Sequence, residues 1–103
     1  MSNLEIKEAQ KQVHDFLVEI GYTKNETTPT HAFLHLVEEV GELARTILHK
    51  ETKRKEFTNA TNPQEMKEEI ADIFWQTLKL ASYLNIDLES AFLEKFEKNR
   101  NKG

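Results

Sequence analysis

Two short acidic segments are the parts of this sequence whose residue types and spacing are best suited to chemistry. Residues 38–43 read EEVGEL and residues 68–73 read EEIADI, so both follow the order acid, acid, branched aliphatic, small, acid, aliphatic. Each segment lies inside a run of helical periodicity and away from a helix start, where the helix dipole would favour acids. One such segment is common on a charged protein, whereas two copies in the same register indicate a shared function.

Within each segment, two acids three positions apart lie on one edge of the predicted helix. They are Glu39 with Glu42, and Glu69 with Asp72. Because an α-helix turns about 100° per residue, acids at this spacing stand beside the apolar stripe that faces the core. Gly41 adds little bulk beside the first pair, which leaves room for a ligand to approach. If the two helices pack as neighbours, we expect the four carboxylates to converge at their seam.

Four converging carboxylates repel one another and lose solvation, which a fold tolerates when a cation lies between them. Carboxylate oxygens fixed on helices suit Mg²⁺ or Mn²⁺, whose remaining positions are filled by water and phosphate oxygens. A di-iron bundle is disfavoured because it uses Glu-x-x-His motifs, and no histidine follows a glutamate by three positions. A solvated helix face explains His31, His35 and His49 more simply than metal binding does. The alternative for the acids themselves is an ordinary surface position on a highly charged protein.

Composition limits the classes of protein that this chain can be. Its 103 residues suit one domain over 1–103, and an apolar fraction of only 38% favours a core completed by a second copy of the chain. The absence of cysteine excludes disulfides and thiolate metal sites, and the net charge of −4 argues against a nucleic-acid binder. No apolar run reaches the roughly 20 residues that span a bilayer. Residues 1–10 lack the features of a signal peptide, so we expect a cytoplasmic protein with no membrane partner.

Hydrophobic spacing predicts four helices and no strand, which is an all-α, four-helix bundle-like fold. The signals that bound the helices are Gly21 after the first, Thr28-Pro29 and Asn62-Pro63 before the second and third, and Asp87 as the cap of the fourth. The second helix is expected to end near Lys50, before a charged connector over 51–61. Its predicted core stripe is Phe33, Leu36, Val37, Val40, Leu43, Ala44 and Ile47. The fourth helix is expected to bury Phe92 and Phe96 and to fray from Asn99.

These features together resemble the MazG-like branch of the all-α nucleotide pyrophosphohydrolases, especially its small single-domain members such as dCTP pyrophosphatases. The two acidic segments carry the resemblance, with Asn85-Ile86-Asp87-Leu88 and the Lys-x-x-x-Asn pair Lys95 and Asn99 downstream. The similarity extends from about residue 28 to residue 102. Either motif alone is a weak signal, and the two at this separation are more specific.

The resemblance implies a reaction and a role for each matching residue. The reaction is Mg²⁺-dependent hydrolysis of a nucleoside triphosphate to monophosphate and pyrophosphate, with Mn²⁺ as a possible substitute, in a homodimer or homotetramer that cleans the nucleotide pool. The implied metal ligands are Glu39, Glu42, Glu69 and Asp72. Glu38 or Glu39 would act on the attacking water, and the implied substrate-binding residues are Lys95, Asn99, Arg100 and Lys102. The segment before Glu38 lacks the Asn or Arg that some dCTP-specific members carry near His31, so the base preference is left open.

Two other functions remain open at this point. A phosphoribosyl-ATP pyrophosphatase would share the fold and the acids but act on that single metabolite. A non-catalytic helical module that binds a metal or a partner would keep the fold without the reaction. Mg²⁺-dependent release of pyrophosphate distinguishes either enzyme from the binding module, and a plain structural bundle would show no thermal stabilisation by metal and nucleotide.

Overall fold

The computed structural model describes residues 4–21, 28–52 and 63–102, with side chains described for all of these except 49–52. Every regular element in these ranges is an α-helix, which confirms the all-α prediction. The helices are α1 (Ile6–Glu19), α2 (Pro29–Thr52), α3 (Pro63–Tyr83) and α4 (Leu88–Lys102). None of them is long and apolar enough to cross a lipid bilayer. The connector predicted over 51–61 lies outside the described residues from position 53 onward, as does the predicted cap Asn62.

Local sequence signals set the helix ends. Helices α2 and α3 begin at Pro29 and Pro63, where the fixed φ of proline suits the first turn and no amide donor is lost from the helix interior. Helix α1 ends before Gly21, whose φ of 91° is a left-handed conformation that glycine adopts without strain. At the start of α4, Asp87 accepts hydrogen bonds from the backbone N–H and the hydroxyl of Ser90, at 3.3 and 3.1 Å. These contacts confirm the predicted cap.

The chain divides into two compact units, and α3 contributes residues to both. The first unit contains α1, α3 from Leu78 onward, and α4. Its buried apolar side chains are Ala9, Val13, Leu17, Leu78 and Ala81. The Gln10 amide donates to the carbonyl oxygen of Ile86 at 2.7 Å and accepts from the Leu88 N–H at 3.1 Å, so α1 is joined to the turn before α4.

Two expectations for α4 are wrong. Phe92 and Phe96 remain 52% and 51% exposed, and their rings contact each other with centroids 6.0 Å apart. They have the spacing of core residues, yet about half of each side chain stays exposed to solvent. The helix also continues through Lys102 instead of fraying at Asn99.

The second unit contains α2 from Thr30 onward and the part of α3 up to Thr77. The buried or half-buried side of α2 consists of Ala32, Leu36, Glu39, Leu43 and Thr46. Relative to the predicted apolar stripe, this side is rotated by roughly 80° at 100° per residue. Val40 and Ile47 are therefore 47% and 40% exposed, contrary to prediction. The inward side includes Glu39 and Thr46, and the Thr46 hydroxyl donates to the Glu69 carboxylate of α3 at 3.1 Å.

Candidate active site

Glu39 lies on the inward side of α2 and is surrounded by other acids. Burial raises its pKa above the ordinary value, and the negative charges of Glu42 and Asp72 raise it further. A hydrogen bond in which the protonated Glu39 carboxyl donates to Glu42 acts in the same direction, as does the charge of Glu38. Because Asp72 belongs to α3, acids from both motifs act on one carboxyl group. A cation bound between these acids would lower the free energy of the folded chain, because it would offset their mutual repulsion.

Glu69, on α3, is half-buried and its two carboxylate oxygens have different surroundings. Oε2 accepts a hydrogen bond from the Thr46 hydroxyl of α2 at 3.1 Å. Oε1 is buried and has no hydrogen-bond partner in the described chain. A buried acceptor without a partner is costly, and such atoms are frequent where a protein binds a ligand or an ion. The structure therefore brings Glu69 against the turn of α2 that follows Glu42.

The donor set at this seam suits a hard divalent cation. All of the candidate ligands are carboxylate oxygens, and the unpartnered Oε1 of Glu69 is available to coordinate. In the side-chain positions described, no three His, Asp or Glu groups lie close enough together to form a complete metal site. Mg²⁺ is commonly held by one or two carboxylates, with water and substrate phosphates completing its shell. The orphaned Oε1 of Glu69 and the acids around Glu39 therefore fit a divalent cation, which the described side chains alone do not enclose.

The other polar residues of the α2 motif lie on the solvent side. Glu38 is exposed, as expected for a residue one position away from the inward face. His31 and His35 are also exposed, in agreement with their interpretation as part of a solvated face. His49 has no described side chain.

The predicted substrate-binding residues lie on α4, in the first unit. Lys95, Asn99, Arg100 and Lys102 are all exposed. The spacing of four and three positions places Lys95, Asn99 and Lys102 on one face of the helix, with Arg100 one residue further round. The helix therefore places these three groups in a row along one face. The acids and these residues belong to separate units, and each set is assembled within its own.

Two polar residues at the seam were not predicted from the sequence. Thr46 is 7% exposed and contacts Glu69 directly. Gln76 follows Asp72 by one turn of α3, and its amide oxygen is buried with no hydrogen-bond partner in the part of the chain that the structure describes. Both stand four positions after an acid of the motif, a spacing that places them on the same helix face. The four-residue spacing from the motif acids is the sequence signal for these two residues. It is a weak signal, because a polar residue on a helix is interpreted as solvent-exposed until the packing is known.

A groove in the first unit is a weaker candidate site. It has a volume of about 430 Å³ and is lined by Lys7, Lys11, His14, Ser82, Asn85 and Asp87. Its cations have anionic neighbours, because Lys11 pairs with Asp15 at 3.1 Å and Lys7 acts electrostatically on Asp87. The groove has no surplus of positive charge for a triphosphate. The acidic seam of the second unit is therefore the better candidate for nucleotide chemistry.

Comparison with known proteins assigns the family. No curated protein matches the chain. The MazG nucleotide pyrophosphohydrolase domain matches residues 27–102, which include both acidic motifs and all of α4. Enzymes of this family hydrolyse pyrophosphate bonds of nucleotides and generally use divalent metal ions, so the reading of the chain as a non-catalytic module is not supported. The chain therefore belongs to the MazG nucleotide pyrophosphohydrolase family.

Proposed function

We propose that this protein hydrolyses a nucleoside or deoxynucleoside triphosphate to the monophosphate and pyrophosphate in the presence of Mg²⁺, and so removes unwanted nucleotides from the pool. The observation that carries the proposal is the buried Oε1 of Glu69, a carboxylate oxygen of the second motif that has no hydrogen-bond partner among the described residues. Glu39 supports the same conclusion, because burial and acids on two helices raise its pKa. A cluster of acids that disfavours its own ionisation gains from a cation.

The acids of the seam would hold the metal and act on the attacking water. We assign Glu39, Glu42, Glu69 and Asp72 as the metal-binding residues. Bound Mg²⁺ supplies charge neutralisation for the phosphates and lowers the pKa of water. Glu38 is exposed beside the seam and Glu39 is inside it, so either carboxylate can accept the proton of the water that attacks the α-phosphorus. The bond from the α-phosphorus to the bridging oxygen then breaks, and pyrophosphate leaves.

The face of α4 would bind the rest of the substrate. Lys95 and Lys102 provide ammonium groups for phosphate oxygens, and Asn99 provides amide groups that can contact phosphate or sugar. Arg100 is a further donor at the edge of this row, suited to a phosphate through its planar guanidinium. The charge of these cations stabilises the negative charge that develops on the leaving pyrophosphate.

We also propose that the active form is a homodimer or a homotetramer. Large apolar side chains of the second unit remain exposed in the single chain: Phe33, Val37, Val40, Ile47, Ile70 and Phe74. Exposed apolar groups at helical spacing indicate a surface that another protein covers. Sedimentation of the purified chain tests this proposal, and a monomer at tens of micromolar protein would contradict it.

The proposed reaction is tested with a panel of ribo- and deoxyribonucleoside triphosphates, with pyrophosphate and free phosphate measured separately. We expect pyrophosphate and monophosphate in equal amounts, no free phosphate, and loss of the activity in EDTA. Glu69→Gln should abolish turnover while helicity is kept. Glu19→Gln is the matched control, because it removes one exposed carboxylate at the end of α1 in the other unit.

Three outcomes would change the proposal. Free phosphate instead of pyrophosphate would exclude attack at the α-phosphorus. Full activity of Glu69→Gln would show that the metal site is assigned wrongly. Turnover of phosphoribosyl-ATP, without turnover of any nucleoside triphosphate, would replace the proposed substrate class.

A further inference from the structure

The hydroxyl of Thr46 lies between the two acidic motifs. Its Oγ1 is 3.1 Å from the carbonyl oxygen of Glu42 and 3.1 Å from Oε2 of Glu69. Thr46 is only 7% exposed, so water competes little for these bonds. This one side chain therefore connects the α2 motif, through its backbone, with a carboxylate of the α3 motif.

The hydroxyl has one hydrogen and two acceptors within reach. A carboxylate is a stronger acceptor than a neutral carbonyl, so the hydrogen is directed to Glu69 when that group is ionised. The back-bond to the carbonyl four residues earlier is a common arrangement for threonine in a helix. Because threonine is branched at Cβ, its χ1 angle is also restricted. The helix therefore limits Oγ1 to a few positions, and the observed one lies within reach of both acceptors.

The two oxygens of Glu69 are divided by this contact. Oε2 accepts the hydrogen bond from Thr46, and Oε1 is buried with no hydrogen-bond partner among the described residues. Without a fixed contact, a glutamate side chain can exchange its oxygens and rotate through several rotamers. With one oxygen held, the other is aimed in a constant direction.

We propose that Thr46 is a positioning residue that holds Oε2 of Glu69, so that Oε1 is directed at a divalent cation. This inference rests on the proposed function, because it assumes that Glu69 binds the metal. Contacts of this kind fix the orientation of a metal ligand, and their removal typically weakens metal affinity by about 10- to 100-fold. Thr46 itself does not contact the metal or the substrate.

The test is Mn²⁺ binding to the full chain, measured without nucleotide by the electron paramagnetic resonance signal of free Mn²⁺. Thr46→Val removes the hydroxyl and keeps the branched shape, and should weaken binding by about 10- to 100-fold. Thr46→Ser restores the hydroxyl and should stay within about threefold of the wild type. Thr77→Val is the matched control, because Thr77 makes the same back-bond, to the Ile73 carbonyl oxygen at 2.8 Å, in the same unit. It should leave Mn²⁺ affinity unchanged.

A second measurement distinguishes positioning from a merely structural role. In Thr46→Val, turnover should recover at high Mg²⁺ and half-saturation should move to higher Mg²⁺. A destabilised fold would instead lower turnover at every Mg²⁺ concentration. If Thr46→Val does not fold, as judged by circular dichroism, Thr46→Ala and Thr46→Ser decide the question at the same position.

The failures of the two proposals are distinguishable. Equal Mn²⁺ affinity for wild type and Thr46→Val overturns the role of Thr46 and leaves the proposed reaction intact. A loss in Thr77→Val as large as that in Thr46→Val also overturns it. A wild-type protein that binds no Mn²⁺ and releases no pyrophosphate overturns both proposals together.

Discussion

Alanine substitutions at Gly41 and Gly21 are predicted to change the stability of the chain in opposite directions. Gly41 is exposed within α2, and a Cβ built there meets no atom within 4 Å. Glycine in a helix interior is less favourable than alanine by about 0.5–1 kcal/mol, because it loses more backbone entropy on folding. Gly41→Ala should therefore raise the free energy of unfolding of the chain by that amount.

Gly21 provides the matched comparison. Its φ of 91° is strained for any residue with a Cβ, although the space around it is open. A left-handed conformation costs an L-residue about 1–2 kcal/mol. Gly21→Ala should therefore lower stability, while the same change at Gly41 raises it.

The assay is thermal unfolding followed by circular dichroism, in EDTA and at one fixed protein concentration, since ligands and association both shift the midpoint. For a domain of this size, about 1 kcal/mol corresponds to roughly 4–8 °C, so Gly41→Ala should raise Tm by roughly 2–8 °C. A lower Tm for Gly41→Ala would refute the reasoning, because the space at Gly41 would then be filled by another chain. A higher Tm with reduced turnover would mean that the nucleotide occupies that space.

Three further variants test the electrostatics of the described residues. Glu39→Gln should raise Tm in EDTA at pH 7 and weaken Mn²⁺ binding. Because the pKa of Glu39 is raised in the folded chain, wild-type stability falls as pH rises from 4.5 through the folded pKa. The gain in Tm of the variant should therefore vanish in more acidic solution. An unchanged Tm at pH 7 would contradict the crowding of acids around Glu39. Asp87→Ala should lower Tm at pH 7, because hydrogen bonds from Ser90 stabilise the ionised Asp87 and lower its pKa. The stabilisation by Asp87 is present above pH 3.8 and is lost as pH falls through the folded pKa. The melting curves of the variant and the wild type should therefore converge at low pH. Lys79→Met should raise Tm at pH 7, because Lys79 is only 5% exposed and burial lowers its pKa. Wild-type stability rises with pH through the folded pKa toward 10.5, so the Tm difference between variant and wild type should shrink near pH 10. A lower Tm for Lys79→Met would mean that the contacts of the ammonium group outweigh its desolvation.

The ends of the helices could be predicted because they depend on local chemistry. Proline at the first turn, glycine in the left-handed conformation and an aspartate cap each act within a few residues. Pro29, Pro63, Gly21 and Asp87 therefore have the roles that the sequence indicates. The end of α4 was placed too early, because the polar composition after Asn99 reads as a frayed tail although the helix continues.

The inward faces of the helices were predicted less well, because they depend on packing between elements. Hydrophobic spacing on α2 favours a face with Val40 and Ile47, yet the inward side includes Glu39 and Thr46. An apolar stripe shows that a surface will be covered but not whether the same chain covers it. The same ambiguity explains Phe92 and Phe96, which have core spacing and remain about half exposed.

The sequence singles out the acids of the candidate site but not the contacts that support them. Carboxylates repeated in register are an unusual pattern, so Glu39 and Glu69 stand out in the sequence. Threonine and glutamine on a helix are common, so Thr46 and Gln76 do not. Only the packing of α2 against α3 makes Thr46 a buried donor to a carboxylate.

The rotated face of α2 links the chemistry of the seam to the proposed assembly. Turning Glu39 and Thr46 inward places charge and polar atoms where an isolated bundle would place aliphatic side chains, and it leaves Val40 and Ile47 outside. Each half of this arrangement is unfavourable for the chain alone, since the acids repel one another and the apolar groups remain in water. The proposed cation would offset the first cost, and the proposed second copy of the chain would offset the second. Because both costs arise from the same rotation of one helix, metal binding and association are expected to stabilise the same conformation of α2.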